Sequence, residues 1–362
     1  MNARDATPAS PTITLDGEQV PFSPGETVYE ISQRHAKNVP TLCYDDRLDP
    51  FGGCRLCVVD LEGSRNPVAS CTTKAQPGME IRTSTEKIEK HRKILMELVV
   101  SENRQVEVDP LCGYASQETR LLSERYGVTA GRFQGKQSGR SKEDANPFIL
   151  RDYDQCISCY RCVRVCAEQE GDYAISIMNR GFETVITTEF EGLLKDSSCT
   201  FCGQCVQTCP TGALADRKAI RHVEDPSPIE KTRTICPYCG VGCSVDILTK
   251  GEAIVGVQPA MDGPANLGSL CVKGQFAYDF VQNPSRLTTP LVRASDGELT
   301  AASWDEALDR AAGGFKAALE NHGRHSVFAI ASGRAPSEAS YTLQKFIRAG
   351  FGTNYIDNCS RA

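Results

Sequence analysis

The sequence lacks the features that send a protein into or across a membrane. No apolar run approaches the roughly 20 residues of a membrane-spanning helix. The N-terminal stretch Met1–Ser10 has neither the apolar core of a signal peptide nor a twin arginine. We therefore expect a protein without a membrane span that stays in the cytoplasm.

Signals for nucleic-acid binding and for hydrolysis are missing as well. Asp and Glu number 46 against 40 Lys and Arg, the net charge is −6, and there is one Trp. A nucleic-acid-binding chain would show a basic stripe instead. The sequence has no P-loop, no GxGxxG after a predicted strand and no Ser-His-Asp set. Neither a nucleic-acid partner nor hydrolytic chemistry is predicted.

Cysteine is the residue type that the sequence has in excess. The 362 residues include 18 Cys. Cytoplasmic thiols are kept reduced, so metal ligation is favoured over disulfides. All but Cys112 and Cys359 fall into four sets of four, and each set has a spacing that suits metal ligation. The chain is long enough for two to four domains.

Two cysteine runs in the middle of the chain share the spacing C-x2-C-x2-C-x3-C, and a proline follows the second run. This doubled pattern is typical of a two-cluster ferredoxin, in which the fourth cysteine of each run ligates the other cluster. The pattern therefore predicts two [4Fe–4S] clusters, one held by Cys156, Cys159, Cys162 and Cys209, the other by Cys199, Cys202, Cys205 and Cys166. Zinc is the alternative, but it needs only two CxxC pairs per site and leaves the doubling unexplained.

A third set lies nearer the N-terminus, in a stretch that we predict to be rich in β-structure. It consists of Cys43, Cys54, Cys57 and Cys71, spaced C-x10-C-x2-C-x13-C. Asp16-Gly17 predicts a hairpin before it. Gly52 and Gly53 would let backbone N–H groups approach cluster sulfurs. We predict a [2Fe–2S] cluster here, with structural zinc as the alternative.

The fourth set opens the C-terminal part of the chain. It consists of Cys236, Cys239, Cys243 and Cys271, spaced C-x2-C-x3-C-x27-C, and predicts a third [4Fe–4S] cluster. A hairpin around Lys250-Gly251 is expected between its ligands, and a zinc ribbon is the alternative. Further on, a helix capped by Ser303 and a βαβ unit over 326–357 are expected.

Between the first two cysteine regions lies a stretch that we expect to be helical. Thr83 to Glu86 has the pattern of a capping box. The expected buried helix face consists of Ile88, His91, Leu95, Leu98 and Val99. Cys112 is predicted to be a small buried side chain rather than a ligand.

Taken in order, these modules resemble one family. Together with Cys271-Val-Lys273-Gly274, the stretch Arg286–Arg293 and the stretch Ser303–Leu308, they resemble the catalytic alpha subunit of cytoplasmic NAD-dependent, molybdenum or tungsten bis-pterin formate dehydrogenases. The iron–sulfur modules also resemble those of the complex I large subunit. The resemblance implies a multidomain α+β chain with these parts: a β-grasp [2Fe–2S] domain (11–83), a helical spacer that resembles a domain with one His and three Cys ligands but lacks those ligands (84–127), a linker (128–146), a 2x[4Fe–4S] ferredoxin domain (147–228), a [4Fe–4S] domain (229–288), and the truncated start of a pterin-binding α/β domain (289–362).

The same resemblance implies a function. Formate would be oxidised to carbon dioxide, and one [2Fe–2S] and three [4Fe–4S] clusters would carry the electrons. The partners would be a flavin- and NAD-binding diaphorase-type subunit and a small iron–sulfur subunit. A molybdenum or tungsten bis-pterin guanine dinucleotide is expected in the full-length protein only. Lys273 matches the lysine between cluster and pterin, so it is an expected electron relay and cofactor-binding residue.

Other interpretations stay open. A complex I large subunit is the first, although it typically carries one cubane, not two, between the spacer and the last cysteine set. An iron-only hydrogenase should lack the Cys236–Cys271 spacing. A stand-alone electron-transfer protein without catalysis and a zinc-rich scaffold are the remaining two.

The end of the chain has its own implication. In the resembled family, a stretch like 352–362 leads to the cysteine or selenocysteine that ligates the metal. The resemblance therefore implies that the residue after Ala362 is selenocysteine, encoded by UGA, and that no catalytic residue lies in this chain. A fragment or an assembly break is the alternative. The 362-residue chain alone is expected to be inactive, and Cys359 is expected to be structural.

Overall fold

The computed structural model describes residues 10–103, 115–128, 132–140, 142, 145–220 and 227–359. The chain forms two compact units, Met1–Pro226 and Ser227–Ala362. Within the described ranges, no helix combines the length and the apolar character needed to cross a membrane. The helices and strands of the first unit are β1 (Thr12–Leu15), β2 (Glu18–Pro21), α1 (Val28–Arg34), β3 (Val58–Leu61), β4 (Val68–Ala69), β5 (Glu80–Arg82), α2 (Glu86–Glu102), α3 (Glu118–Arg125), β6 (Ile149–Arg151), α4 (Arg161–Val165), β7 (Ser176–Met178), β8 (Val185–Thr187), α5 (Gln204–Thr208), β9 (Leu214–Asp216) and α6 (Arg217–Ile220).

The first part of this unit is a five-stranded mixed sheet in the order β2-β1-β5-β3-β4. β1 and β2 form the predicted antiparallel hairpin. Asp16 and Gly17 both take left-handed φ angles, 50° and 89°, as a two-residue hairpin turn requires. β1 also pairs in parallel with β5, which joins segments far apart in the sequence.

Helix α1 covers this sheet. Its N-cap Thr27 forms a capping box with Glu30, which satisfies backbone N–H groups of the first turn. The helix packs Val28 and Ile31 into an apolar core that contains Ile13, Leu15, Val59 and Ile81 among its members. The alternating pattern of the strands places these side chains on one face.

Helix α2 differs from the prediction in its start and in its buried face. Its N-cap is Thr85, which accepts from the Ile88 N–H, whereas Thr83 donates to Asp16 through its N–H and its hydroxyl. The capping box at Thr83 was therefore wrong. The buried residues of the helix are Ile88, Arg92, Met96 and Val100.

The predicted face of α2 is right in part: Ile88 is buried, and Leu95 and Val99 pack against a core cluster, but His91 and Leu98 are exposed. The centre of the buried face is instead occupied by a charged residue. The Arg92 guanidinium donates to the carbonyls of Leu56, Val58 and Thr83 and pairs with Glu89 at 2.9 Å. These bonds satisfy the charge inside the core. His91 points to solvent instead, with its ring nitrogen 2.9 Å from the Lys87 carbonyl.

The ferredoxin-like part of the first unit has little regular structure apart from the two short helices α4 and α5. β6 and β9 pair antiparallel. β7 and β8 form an antiparallel hairpin between the two cysteine runs. Further short turns of helix are a π-type turn at Cys166–Glu170 and 3₁₀ turns at Tyr153–Gln155, Gly181–Glu183, Glu189–Glu191 and Leu194–Asp196.

The second unit begins with an antiparallel sheet in the order β10-β11-β12. The predicted hairpin is present: Lys250 pairs with Ala253, and Gly251 and Glu252 form the turn between them. The elements are β10 (Glu230–Ile235), β11 (Ser244–Lys250), β12 (Ala253–Pro259), α7 (Val272–Phe276), a 3₁₀ turn (Asp279–Val281), β13 (Leu291–Arg293), β14 (Leu299–Ala301), α8 (Trp304–His322), a 3₁₀ turn (Arg324–Ser326), β15 (Ala329–Ala331), α9 (Ser337–Phe351) and β16 (Ile356–Asn358). β10 was not predicted, and every one of its residues is exposed.

The last elements form the predicted βαβ unit. β15 and β16 pair in parallel around α9. Helix α8 starts where the sequence indicates, because the Ser303 hydroxyl accepts from the Glu306 N–H. No side chain of α8 is buried.

Candidate metal centres

The cysteines of the N-terminal set lie together on one side of the mixed sheet. Cys43, Cys57 and Cys71 are fully buried. The Cys57 and Cys71 sulfurs are 3.3 Å apart, and the Cys54 N–H donates to the Cys43 sulfur at 3.4 Å. Cys71 also interacts electrostatically with all three other thiols. The structure thus brings the whole predicted set together.

In the loop around Cys54, backbone N–H groups come within hydrogen-bond distance of cysteine sulfurs. Gly52 has a φ of +72°, and a Cβ there would meet the Thr72 methyl at 3.0 Å. The Leu42 N–H donates to the Cys54 sulfur at 3.4 Å. A hydrogen bond from Cys43 lowers the pKa of Cys54 to about 5, while the same bond raises the pKa of Cys43. The contacts of Cys54 therefore favour its thiolate, the form that binds metal.

Five cysteines from both central runs line a single cavity of about 40 Å³. Four of them are the predicted first cubane set, Cys156, Cys159, Cys162 and Cys209, and the fifth is Cys205 of the second predicted set. Apolar residues close much of the remaining wall, among them Ile157, Ile175, Ile186 and Leu194. Burial raises the pKa of Cys156 to about 11. An apolar cavity lined by thiols suits an iron–sulfur cluster, because cysteine thiolates bind the cluster and its burial helps to set the reduction potential.

The second predicted cubane set is gathered in the same way. The thiols of Cys199, Cys202 and Cys205 each interact electrostatically with Cys166, which comes from the first run. Burial raises the pKa of Cys202 to about 12. Each run therefore contributes its last cysteine to the neighbourhood of the other run.

The two runs repeat one backbone conformation. The residues two and four positions after the first cysteine have left-handed φ angles in both runs: Ser158 and Tyr160 in the first, Phe201 and Gly203 in the second. The N–H of Ser158 donates to the Cys156 sulfur at 3.5 Å, and that of Phe201 to the Cys199 sulfur at 3.4 Å. Such donors stabilise negative charge on sulfur.

The last set lies on the small sheet of the second unit. Cys236 and Cys243 are half-buried, whereas Cys239 and Cys271 are exposed. The Cys243 thiol interacts electrostatically with the other three, and burial raises its pKa and that of Cys236.

Lys273 lies in α7, two residues after Cys271. It lines an apolar cavity of about 260 Å³ together with Cys236, Tyr238 and Tyr278. Gly274 packs closely, because a Cβ there would lie 3.3 Å from a Leu270 methyl and 3.6 Å from the Cys236 sulfur. The structure thus places Lys273 beside the last cysteine set.

Among the described residues, no three His, Cys, Asp or Glu side chains come close enough to share one metal ion. In a four-iron cluster each thiolate binds a different iron, so its ligands stand farther apart than those of a single ion. Cys112 lies outside the described residues. Cys359 is exposed, and its thiol contacts the Ser332 hydroxyl at 3.6 Å. Residues 360–362 also lie outside the described part, so the selenocysteine hypothesis stays a prediction.

Sequence reasoning missed the polar residues that stand between the cysteines. Arg161 and Gln204 occupy equivalent positions of the two runs, five residues after the first cysteine, and both are 2% exposed. A charged and an amide side chain at equivalent positions of an internal repeat were the available signal. Thr208, fully buried beside Cys209, gave no signal.

Four known families match successive parts of the chain. Residues 10–86 match the "2Fe-2S iron-sulfur cluster binding domain" and 146–215 the "NADH-quinone oxidoreductase subunit 3, ferredoxin-like domain". Residues 229–283 match the "Molybdopterin oxidoreductase Fe4S4 domain" and 286–362 the "Molybdopterin oxidoreductase" family.

Several known proteins resemble the chain over most of its length. A subunit of an NADH-quinone oxidoreductase from Rhizobium meliloti is 33% identical over 96% of this chain and 40% of its own. "Putative formate dehydrogenase SH0748" of Staphylococcus haemolyticus is 31% identical over 96% of this chain and 39% of its own. "NADPH-Fe(3+) oxidoreductase subunit alpha" of Geobacter sulfurreducens is 32% identical over 97% of this chain and 40% of its own. The chain thus spans about two fifths of the length of the curated relatives it matches.

A solved structure is also similar. A chain of "NAD+-reducing [NiFe]-hydrogenase in the H2-reduced state" is 30% identical, with a TM-score of 0.52, and the match covers 61% of this chain and 92% of that one.

These matches and the clustered cysteines define an electron-transferring iron–sulfur oxidoreductase module. Because its iron–sulfur domains run directly into the molybdopterin oxidoreductase domain, the chain belongs to the molybdopterin oxidoreductase family with 2Fe-2S and 4Fe-4S domains.

Proposed function

We propose that this chain is the iron–sulfur portion of the catalytic subunit of a cytoplasmic, NAD-linked formate dehydrogenase. It would take electrons from formate oxidation and pass them toward a flavin- and NAD-binding partner subunit and a small iron–sulfur subunit. The observation that carries the proposal is the succession of a 2Fe-2S domain and a molybdopterin oxidoreductase domain in one chain. Relatives named as putative formate dehydrogenases are 31% identical over 96% of the chain, which supports the proposal.

The proposal assigns one [2Fe–2S] and three [4Fe–4S] clusters to the four cysteine sets. Bound clusters supply one-electron carriers, which a flavin or a pterin site cannot replace over long distances. The protein supplies buried thiols, backbone donors such as the Ser158 and Phe201 N–H groups, and apolar walls that exclude water. Lys273, beside Cys236, is assigned to the connection between the last cluster and the pterin of the full-length protein.

A second candidate is a subunit of an NADH-quinone oxidoreductase. The ferredoxin-like match at 146–215 and the 33% identity to a subunit of such an enzyme favour it. The two candidates share the iron–sulfur modules and differ in the electron donor.

The experiment must therefore identify the electron donor. The full-length protein, purified without oxygen with its associated subunits, would be supplied with 13C-formate and a viologen dye, or with NADH and a quinone. Formate-dependent dye reduction with release of 13C-carbon dioxide, together with bound molybdenum or tungsten, is the expected result. Quinone reduction by NADH without formate oxidation would favour the second candidate. Zinc without iron and acid-labile sulfide would refute both.

A further inference from the structure

A buried polar cluster joins the loop that carries Cys43 to the ferredoxin-like part of the first unit. At its centre is Asp45, whose side chain is 2% exposed. Its Oδ1 accepts from the backbone N and the Nε of Arg47, both at 3.0 Å. Its Oδ2 accepts from the Thr208 hydroxyl at 2.6 Å and from Arg47 at 3.0 Å.

The neighbours of Asp45 extend the cluster to both cysteine runs. The Arg161 Nε donates to the Thr208 hydroxyl at 3.0 Å, and an Arg161 terminal nitrogen lies 3.8 Å from Asp45 Oδ2. Arg161 also donates to Glu118 at 2.5 Å. Arg47 donates to the Gln204 side-chain oxygen at 2.7 Å. We call these six residues, Asp45, Arg47, Glu118, Arg161, Gln204 and Thr208, the Asp45 cluster.

The Asp45 cluster is adjacent in sequence to ligands of three predicted centres. Asp45 follows Cys43 by two residues, and Thr208 directly precedes Cys209. Arg161 stands between Cys159 and Cys162, and Gln204 between Cys202 and Cys205. The cluster therefore ties together backbone segments that adjoin all three cysteine sets.

A second contact shows what the cluster holds in place. Arg164, between Cys162 and Cys166, donates to the Cys43 carbonyl at 3.1 Å. Its guanidinium lies over the Phe51 ring, 5.4 Å from the centroid. The backbone of one predicted [2Fe–2S] ligand is thus hydrogen-bonded to the helix between ligands of two cubanes.

Buried charge pairs contribute little net stability compared with well-packed apolar residues, but they fix geometry because their bonds are directional. We propose that Asp45 is a positioning residue for electron transfer, which holds the Cys43 loop at a fixed distance from both cubane sites. This inference rests on the proposed function, because it requires clusters at the cysteine sets. Neither the family matches nor the cysteine spacing points to Asp45.

The test compares Asp45→Asn with Asp46→Asn in the full-length protein. Asp46 is exposed and directly adjacent, so the control removes the same charge without touching the cluster. The measurement is the magnetic interaction between the reduced [2Fe–2S] centre and the cubanes, seen as splitting or broadening in electron paramagnetic resonance. This interaction falls with the inverse cube of distance. We expect Asp45→Asn to lose it with unchanged iron content, and Asp46→Asn to keep it.

A second pair of variants keeps the inference testable if Asp45→Asn does not fold. Thr208→Val keeps the shape of the side chain but removes the hydroxyl between Asp45 and Arg161, whereas Thr208→Ser keeps the hydroxyl. We expect the interaction to weaken in Thr208→Val and to be retained in Thr208→Ser. Full interaction in both Asp45→Asn and Thr208→Val would overturn the inference, as would a wild-type protein whose clusters do not interact. A wild-type protein without iron and sulfide would instead defeat the proposed function.

Discussion

The cysteine sets of the two units differ in how much protein covers them. In the first unit Cys43, Cys57 and Cys71 are fully buried, and the two central sets are half-buried or buried. In the second unit Cys239 and Cys271 are exposed. The ligand type is the same, so the difference lies in the surrounding fold.

The cause of that difference is the size of the core beside each set. The first set lies against a five-stranded sheet and the helix α1. The last set lies on three strands, of which β10 is exposed along its whole length. Identical thiol chemistry is thus placed in two environments that differ in access for water and oxidants, which are determinants of cluster behaviour.

The largest effect should come from removing a buried ligand. Cys209→Ser should lower the iron content from about 14 atoms by about four, because it removes a ligand from the first cubane set. Iron and sulfide analysis with electron paramagnetic resonance would measure the loss. Cys359→Ser, outside the four sets, is the matched control and should change nothing. The crossed assignment predicts that Cys209→Ser and Cys156→Ser lose the same resonance. If Cys209→Ser instead lost the resonance that is lost in Cys199→Ser, the crossed assignment would be contradicted.

A large effect on the stability of the first unit should come from Arg92→Met. The change leaves the carbonyls of Leu56, Val58 and Thr83 buried without their donor. We expect the free energy of unfolding to fall by about 3 kcal/mol. Denaturant unfolding, followed by the visible absorption of the [2Fe–2S] centre, would measure this. Lys90→Met on the exposed side of the same helix should change it by less than about 0.5 kcal/mol. An equal loss of unfolding free energy in the two variants would show that the stability of the first unit does not depend on the Arg92 hydrogen bonds.

A smaller effect, the rate at which clusters lose iron, compares the two units directly. When the chain is exposed to air or to a chelator, the cluster at Cys236–Cys271 should lose iron several-fold faster than the others, because two of its ligands are exposed. Loss of its resonance over time would be followed, and Cys271→Ser would identify that signal by its absence. Simultaneous loss of all signals would mean that burial of the ligands does not control access.

The smallest effect concerns protonation in the iron-free chain. Burial raises the pKa of Cys156 to about 11 and that of Cys202 to about 12, against an ordinary value of about 8.5. Because the thiolate is the reactive form, each cysteine should alkylate at half its maximal rate only near its raised pKa. Mass spectrometry after iodoacetamide treatment across pH would show this. In urea both should return to the ordinary value; half-maximal rates near pH 8.5 in the folded chain would contradict the burial.

The sequence predicted those parts of the fold that local chemistry determines. Asp16-Gly17 and Lys250-Gly251 indicated two hairpins, and Ser303 indicated the start of α8. The cysteine spacing indicated which thiols would meet. In contrast, β10 consists of charged and hydroxyl residues except for its last residue, Ile235, and all of them are exposed, so no apolar pattern marks it.

Two errors share one physical origin. The buried face of α2 and the Asp45 cluster both depend on charged side chains that are buried with their hydrogen-bond partners. Those partners lie far away in the sequence: Arg92 bonds to the Leu56 carbonyl, and Asp45 accepts from Thr208. A hydrophobic pattern cannot reveal a buried charge, because the charge is stabilised only by tertiary contacts.

The parallel pairing of β1 with β5 also fixes the order of events during synthesis. The segment between these strands contains all four cysteines of the first set. Thr83 then joins the two ends by donating its N–H and hydroxyl to Asp16, at 2.6 and 2.7 Å. Closing so long a loop requires both ends, so a nascent chain on the ribosome cannot assemble this site before residue 83 has emerged. Iron delivered earlier would meet only an open chain, whereas the same site can be complete before the cysteines from 156 onward have been made.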